Sequence, residues 1–182
     1  MEIRSLNVAL PTSIDYAGRV IMTGGYKSPI DAAHCGMEQI DGDGQADRVN
    51  HGGVDKAVNV YAHDHYPYWE RVFGHALTPG AFSENLTIAG ALESSVCIGD
   101  HWRAGEVIFE VSQPRMPCSK LALKHDKRHL VQWVQETGYT GFYLRVIAPG
   151  MLARGARIEV IARDPRGVSI ADVNAIYYGR GA

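Results

Sequence analysis

The sequence predicts a β-rich α+β fold: a barrel with peripheral helices and a short C-terminal helix. Three observations point there. Short segments rich in β-branched or aromatic residues recur along the chain, turns drawing on twenty Gly and eight Pro separate them closely, and helical periodicity is confined to a few places. Strands so closely spaced pack as a barrel or sandwich rather than as a doubly wound sheet.

In chain order, Ala57-Val58-Asn59-Val60-Tyr61 reads as a strand. A helix follows from Asp64, with Tyr66, Trp69, Val72 and Phe73 at helical spacing and Gly74 placed to stop it. Asn85-Leu86-Thr87-Ile88 and Val107-Ile108-Phe109-Glu110-Val111 are further strands, and turn residues flank His101-Trp102-Arg103 on both sides. A run of hairpins is the simplest connection. Pro114 and Pro117 stiffen the loop after Val111, and a short helical stretch, Ser119 to Lys124, opens at Cys118. A second helix is expected from about Asp126 to Glu136, with Leu130, Trp133 and Val134 on its inner stripe and Gly138 beyond its end. Phe142 to Val146 and Arg157 to Ile161 are the last strands. After the loop Asp164-Pro165-Arg166-Gly167, Ser169 and Asp172 match a capping box, opening a helix that carries Ile170, Val173, Ile176 and Tyr177 on one face. The division is a barrel domain over residues 1–163 and a helical appendage over 164–182.

With 182 residues the chain is one principal domain. Eighteen basic against twenty acidic side chains give a net charge of -2, which offers no bulk attraction for nucleic acid or an anionic membrane. The N-terminus lacks a signal-peptide pattern, and no apolar run reaches the ~18 residues of a membrane span. Three cysteines are too few for a disulfide framework or a four-thiolate cluster, so a reducing, cytoplasmic setting is expected.

Cys118 is the foremost candidate for chemistry. It opens a helical stretch between Arg115 and Lys120, and nearby cations favour a thiolate, as nucleophile or metal ligand. Cys97, within Val96-Cys97-Ile98, and Cys35 read as small core residues. His51-Gly52-Gly53 with Lys56 reads equally as an anion cradle or as a turn entering a strand. Glu84 and Asn85 pair an acceptor with a donor–acceptor, suited to a heterocycle edge, although taken alone the segment reads somewhat better as an Asn turn. His63 and His65 lack the spacing of a zinc hydrolase and flank a helix start.

His51-Gly52-Gly53 with Lys56, Glu84-Asn85-Leu86, Ile98-Gly99-Asp100 and Gln113-Pro114-Arg115-Met116-Pro117-Cys118-Ser119-Lys120 occur in this order. Together they resemble the MOSC family, named for the molybdenum cofactor sulfurase C-terminal domain, and within it the YiiM-like branch. The resemblance runs from about Leu6 to Ile161. It implies a MOSC-type β-barrel that binds the molybdenum cofactor (molybdopterin), with Cys118 ligating molybdenum. Lys56, Arg115 and Lys120 would hold the phosphate or pterin, with His51, Gly52, Gly53, Glu84 and Asn85 nearby and Arg145 as a further anion contact. The implied activity is reduction of N-hydroxylated compounds, such as hydroxylaminopurines, to amines. Neither a nucleotide-binding glycine motif nor cysteines for a cluster are present, so electrons would come from a separate reductase, a flavoprotein. The alternative is a non-catalytic module that carries the cofactor, or sulfur as a Cys118 persulfide. Longer YiiM-like members continue into a helical subdomain, of which the appendage here would be a remnant; its apolar stripe is expected to dock on the barrel or on a second subunit, as a homodimer.

Overall fold

The computed structural model describes residues 1–47 and 52–179. Its strands and helices run, in order, β1 (Glu2–Val8), β2 (Thr12–Tyr16), β3 (Arg19–Thr23), β4 (Ser28–Ile30), β5 (Ala32–Cys35), β6 (Val58–Ala62), α1 (Tyr66–Phe73), β7 (Leu86–Ala89), β8 (His101–Ala104), β9 (Val107–Pro114), α2 (Ser119–Lys124), α3 (Leu130–Thr137), β10 (Phe142–Ala148), β11 (Gly150–Ala153), β12 (Ile158–Ala162) and α4 (Ile170–Tyr177). Single 3-10 turns at Val54–Lys56 and His63–His65 bracket β6.

One eight-stranded sheet, in the order β12-β8-β9-β10-β6-β7-β1-β4, forms the body. It curls into a half-barrel, because β1 serves two neighbours on its outer side. Its C-terminal half pairs with β4, while Ile3 exchanges backbone hydrogen bonds with Ala156 (3.0 Å) and Gly155 (2.7 Å), just before the opposite edge strand. The hairpins β2-β3 and the pair β5-β11 lie outside this sheet. The expected run of hairpins is largely absent: among the described residues β2-β3 and β8-β9 are tight hairpins, β9 and β10 pair across α2 and α3, β1-β4, β1-β7, β6-β10, β8-β12 and β5-β11 join strands distant in sequence, and β6 and β7 pair in parallel with α1 in the crossover between them.

Alternation along β6 explains how two cores share one strand. Val58 and Val60 face the inside of the curl with Ile3, Leu6, Leu86, Phe109, Phe142 and Leu144. Tyr61 points the other way, into a second cluster that α1, α2 and α3 cover with Trp69, Phe73, Leu121, Leu130 and Val134. The helices sit on that outer face because their apolar stripes need it.

The helix ends follow their local chemistry. Gly74 and Gly138 adopt left-handed conformations at the ends of α1 and α3. Ser169 Oγ accepts from the Asp172 backbone N–H while the Asp172 carboxylate accepts from the Ser169 N–H, closing the expected capping box. The expected helix start at Asp126 is displaced to Leu130, since Asp126 has φ +49° and makes the turn between α2 and α3 instead. Cys97 also departs from expectation: it makes a lone bridge to Ser169 and is half-buried. Cys35 is fully buried, and burial pushes its thiol pKa up to about 12. The stripe of α4 is divided, with Ile170 buried and Ile176 and Tyr177 exposed. Among the described residues no helix is long and apolar enough to cross a membrane.

Candidate functional site

Where β9 ends, the chain turns through Arg115 to Cys118 and into α2. The Arg115 N–H donates to the Gly141 carbonyl (3.0 Å), fixing the turn against the start of β10. Gly141 must be glycine: its φ is +70°, and a Cβ there would collide with the Val60 carbonyl. Cys118 is the N-cap residue of α2, in extended conformation and half-buried. None of the three cysteines is in a disulfide.

Arg115 and Cys118 line a cavity with Lys27, Lys56, Lys120 and Lys124, against which only Asp43 and Asp47 supply carboxylates. The base of the β2-β3 hairpin and the stretch after it, Thr23 to Lys27, form one wall. Lys120 Nζ donates to the Met22 carbonyl at 3.0 Å. Lys124 Nζ donates to the carbonyls of Gly25 (2.8 Å) and Gly80 (2.6 Å), so α2 straps that wall to the loop before β7. Burial lowers the Lys124 pKa to about 8. Burial likewise lowers that of Lys27, whose ammonium is ion-paired with Asp43, the pairing opposing the shift.

Two buried polar atoms in the lining have no partner among the described residues: Arg115 Nη1 and Asn59 Oδ1. Arg115 is 5% exposed, so this guanidinium nitrogen is held out of water without a hydrogen bond from the described residues. Beside it, burial raises the Tyr143 pKa while the Arg115 guanidinium, hydrogen-bonded to its hydroxyl, opposes the rise.

The sequence-predicted residues divide clearly. Lys56, Asn85, Arg115, Cys118 and Lys120 come together in the lining. Asn85, however, is already committed: its amide donates to Asn7 O (3.2 Å) and Asp43 Oδ2 (2.9 Å), and its oxygen accepts from Asn59 N–H (3.1 Å). It positions the wall. Glu84 is not a recognition group: fully buried, it accepts from Gly80 N–H (2.9 Å), Phe82 N–H (3.0 Å), Tyr66 Oη (2.5 Å) and Thr87 Oγ1 (2.7 Å), which spends its carboxylate on holding the loop. Arg145 lies outside the lining, its guanidinium held by Asp55 and Glu110 at 2.7 Å each. Gly52 and Gly53 also lie outside it; Gly53, at φ +91°, caps the 3-10 turn that delivers Lys56. His51 lies outside the described residues. Sequence reasoning missed Lys27, Asn59, Lys124 and Tyr143. Only Lys124 carried a signal, four residues after Lys120 on one helical face.

The donor set fits an anionic, thiophilic group. Among the described residues no three of His, Cys, Asp and Glu converge to hold a metal, so a metal at Cys118 must bring its remaining ligands with it. The orphaned Arg115 Nη1 offers a hydrogen bond to an anion, and Asn59 Oδ1 offers an acceptor to a heterocyclic N–H. The cavity encloses about 110 Å³, which seats a phosphate-sized group or a metal centre; a larger ligand would extend beyond it.

The described residues thus give a half-barrel domain with a cation-rich cavity lined by one thiol, Cys118. Comparison with known proteins narrows it. Residues 47–159 match the family model described as MOSC domain. The chain is 48% identical over 178 residues to the uncharacterized protein YflK of Bacillus subtilis (strain 168), covering 97% of this chain and 80% of that protein. It is 33% identical over 139 residues to a protein named reductase from Gibberella moniliformis (strain M3125 / FGSC 7600), covering 71% of this chain and 24% of that protein. The crystal structure of YiiM from Geobacillus stearothermophilus superposes with a TM-score of 0.82 at 38% identity, covering 97% of this chain and 83% of that one. The chain belongs to the MOSC domain family.

Proposed function

We propose that this chain is a MOSC-type oxidoreductase: it holds the molybdenum cofactor in the cationic cavity and reduces N-hydroxylated compounds to amines, in the cytoplasm, with electrons from a separate flavoprotein reductase. The observation that carries the reading is the convergence of Cys118 with buried Arg115, whose Nη1 has no partner, among four lysines. Similarity to a protein named reductase supports the redox class.

When bound, the cofactor supplies the two-electron step in which an N–OH compound, two electrons and two protons become an amine and water. The chain does the rest. Cys118 Sγ would be the soft ligand that holds the metal in the cavity. Arg115, already desolvated, donates to the anionic group, so no further desolvation cost falls on the cation at binding. Lys27, Lys56 and Lys120 add positive field, and Asn59 Oδ1 accepts from the ring edge. Lys124, whose Nζ donates to the Gly25 and Gly80 carbonyls, holds the cavity wall against the loop before β7.

The test is reduction of an N-hydroxylated purine by protein from a cofactor-producing host, with reduced viologen as electron donor. Turnover in the wild type, falling at least about a hundredfold in Cys118→Ala, is expected. Bound cofactor or cyanide-releasable sulfur without turnover of any N-hydroxy compound would replace this reading with the carrier one.

A further inference from the structure

A second cavity, of about 550 Å³, opens between the 3-10 turn after β6, the loop after β7, the end of α3 and the inner side of α4. That is within the size range of small-molecule sites. Among the described residues its lining carries Asp64, Glu93 and His65 and no lysine or arginine. The groups are held rigidly. His65 Nε2 lies 2.6 Å from Glu93 Oε2, the other Glu93 oxygen accepts from the Gly141 N–H (2.8 Å), and the His65 ring stacks on Tyr139 with centroids 3.7 Å apart. Asp64, at the exposed rim, accepts from the Gly90 N–H (2.8 Å) through one oxygen.

An independent observation comes from α4. Asn174 is 4% exposed and lines the cavity; its amide donates to Gly138 O (3.3 Å) and Thr140 Oγ1 (2.9 Å), while Oδ1 has no donor. A buried acceptor without a donor is costly to maintain. The carboxylate and amide oxygens of this cavity therefore ask for N–H donors or positive charge, the Ser94 hydroxyl can serve as donor or acceptor, and the apolar features, the Tyr139 ring with Leu92 and Ala175, ask for a flat hydrocarbon body. A metal ion is not what is asked for: among the described residues no ligand trio forms, and Glu93 is spent on fixed donors.

We infer that this cavity is a second binding site, for a small organic cation of the amidinium or arylammonium class, separate from the cationic cavity. The asymmetry of charge is the argument: an anion that fits the first cavity meets the carboxylates of Asp64 and Glu93 in the second, with no lysine or arginine among the described residues of its lining. This inference stands apart from the cofactor reading, since the chain presents both walls of the second cavity without any cofactor.

Benzamidine is the probe, with benzoate and benzamide as the anionic and neutral comparators, added to the 15N-labelled apo chain and followed by amide chemical shifts. The expected result is saturable binding of benzamidine with Kd below about 1 mM and at least about tenfold tighter than either comparator. The shifted amides should lie at Gly138 to Thr140, Glu93 and Ala171 to Ala175. Asn174→Leu, and Ala175→Trp filling the cavity from its rim, should each weaken binding about tenfold, whereas Cys118→Ala should leave it unchanged. The mapping on the wild type needs no variant, so a misfolded variant does not shield the inference. Absence of saturation by benzamidine, equal binding of benzoate, or shifts confined to Lys120, Lys124 and their neighbours would overturn it.

Discussion

The two cavities make an instructive pair. One gathers Lys27, Lys56, Arg115, Lys120 and Lys124 around a thiol; the other gathers Asp64, Glu93 and His65 around an aromatic ring. They lie back to back across one short segment: Tyr139 lines the second, the Gly141 N–H binds Glu93 there, and the Gly141 carbonyl anchors Arg115 of the first. Each also depends on a buried carboxylate used as scaffolding: Glu84 takes two donors from the loop before β7, one from Tyr66 of α1 and one from Thr87 of β7, and Glu93 takes Gly141 and His65. Net charge near zero hides this, because opposite potentials separated by a few residues cancel in the sum and still act locally.

Perturbing one side should therefore leave the other intact. The largest effect is expected from Glu84→Gln, which puts an amide NH2 group against donors that need an acceptor. It should cost about 3 kcal/mol in urea unfolding and abolish phosphate binding, while benzamidine still binds the folded fraction. Next, Arg115→Met removes the desolvated cation. Binding of inorganic phosphate, followed by calorimetry, should weaken about thirtyfold, with stability falling by about 1 kcal/mol as the Tyr143 contact is lost.

Titration sharpens the contrast further. The Lys124 pKa lies below its unfolded value of 10.5, at about 8, so the unfolded state holds the extra proton between those values. Stability contributed by this group should then rise with pH from about 8 to 10.5, and be absent from that window in Lys124→Met, as measured by urea midpoints. Over the same rise the cationic cavity loses a charge, so phosphate affinity should fall. The smallest effect is expected from Ile176→Ala: with that side chain 74% exposed, stability should move by less than about 0.5 kcal/mol and neither cavity should respond.

The cationic cavity was partly legible in the sequence because Arg115, Cys118 and Lys120 sit on one stretch that Pro114 and Pro117 stiffen, so local rules reach them. Lys27 was not. It reaches the cavity only because Asp43 captures it from another loop, a contact set by the sheet rather than by spacing. Glu84 misled for a related reason: a Glu-Asn pair before a strand looks the same whether it faces a ligand or closes its own loop. The second cavity left no sequence signal, its lining being drawn from four separated stretches between Asp64 and Ala175. In the fold, the strong β6, β7, β9 and β10 patterns were plain. β1 was not, because the pairing on both its sides is long-range, and β4, β5 and β11 are three or four residues each.

The most direct test of the central claim is the molybdenum content of protein purified from a cofactor-producing host, compared among the wild type, Cys118→Ala and Asn174→Leu. The account predicts about one molybdenum per chain in the wild type and in Asn174→Leu, and a near-background level in Cys118→Ala. Equal molybdenum in all three, or none in the wild type while a second molybdoenzyme in the same host is filled, would contradict it.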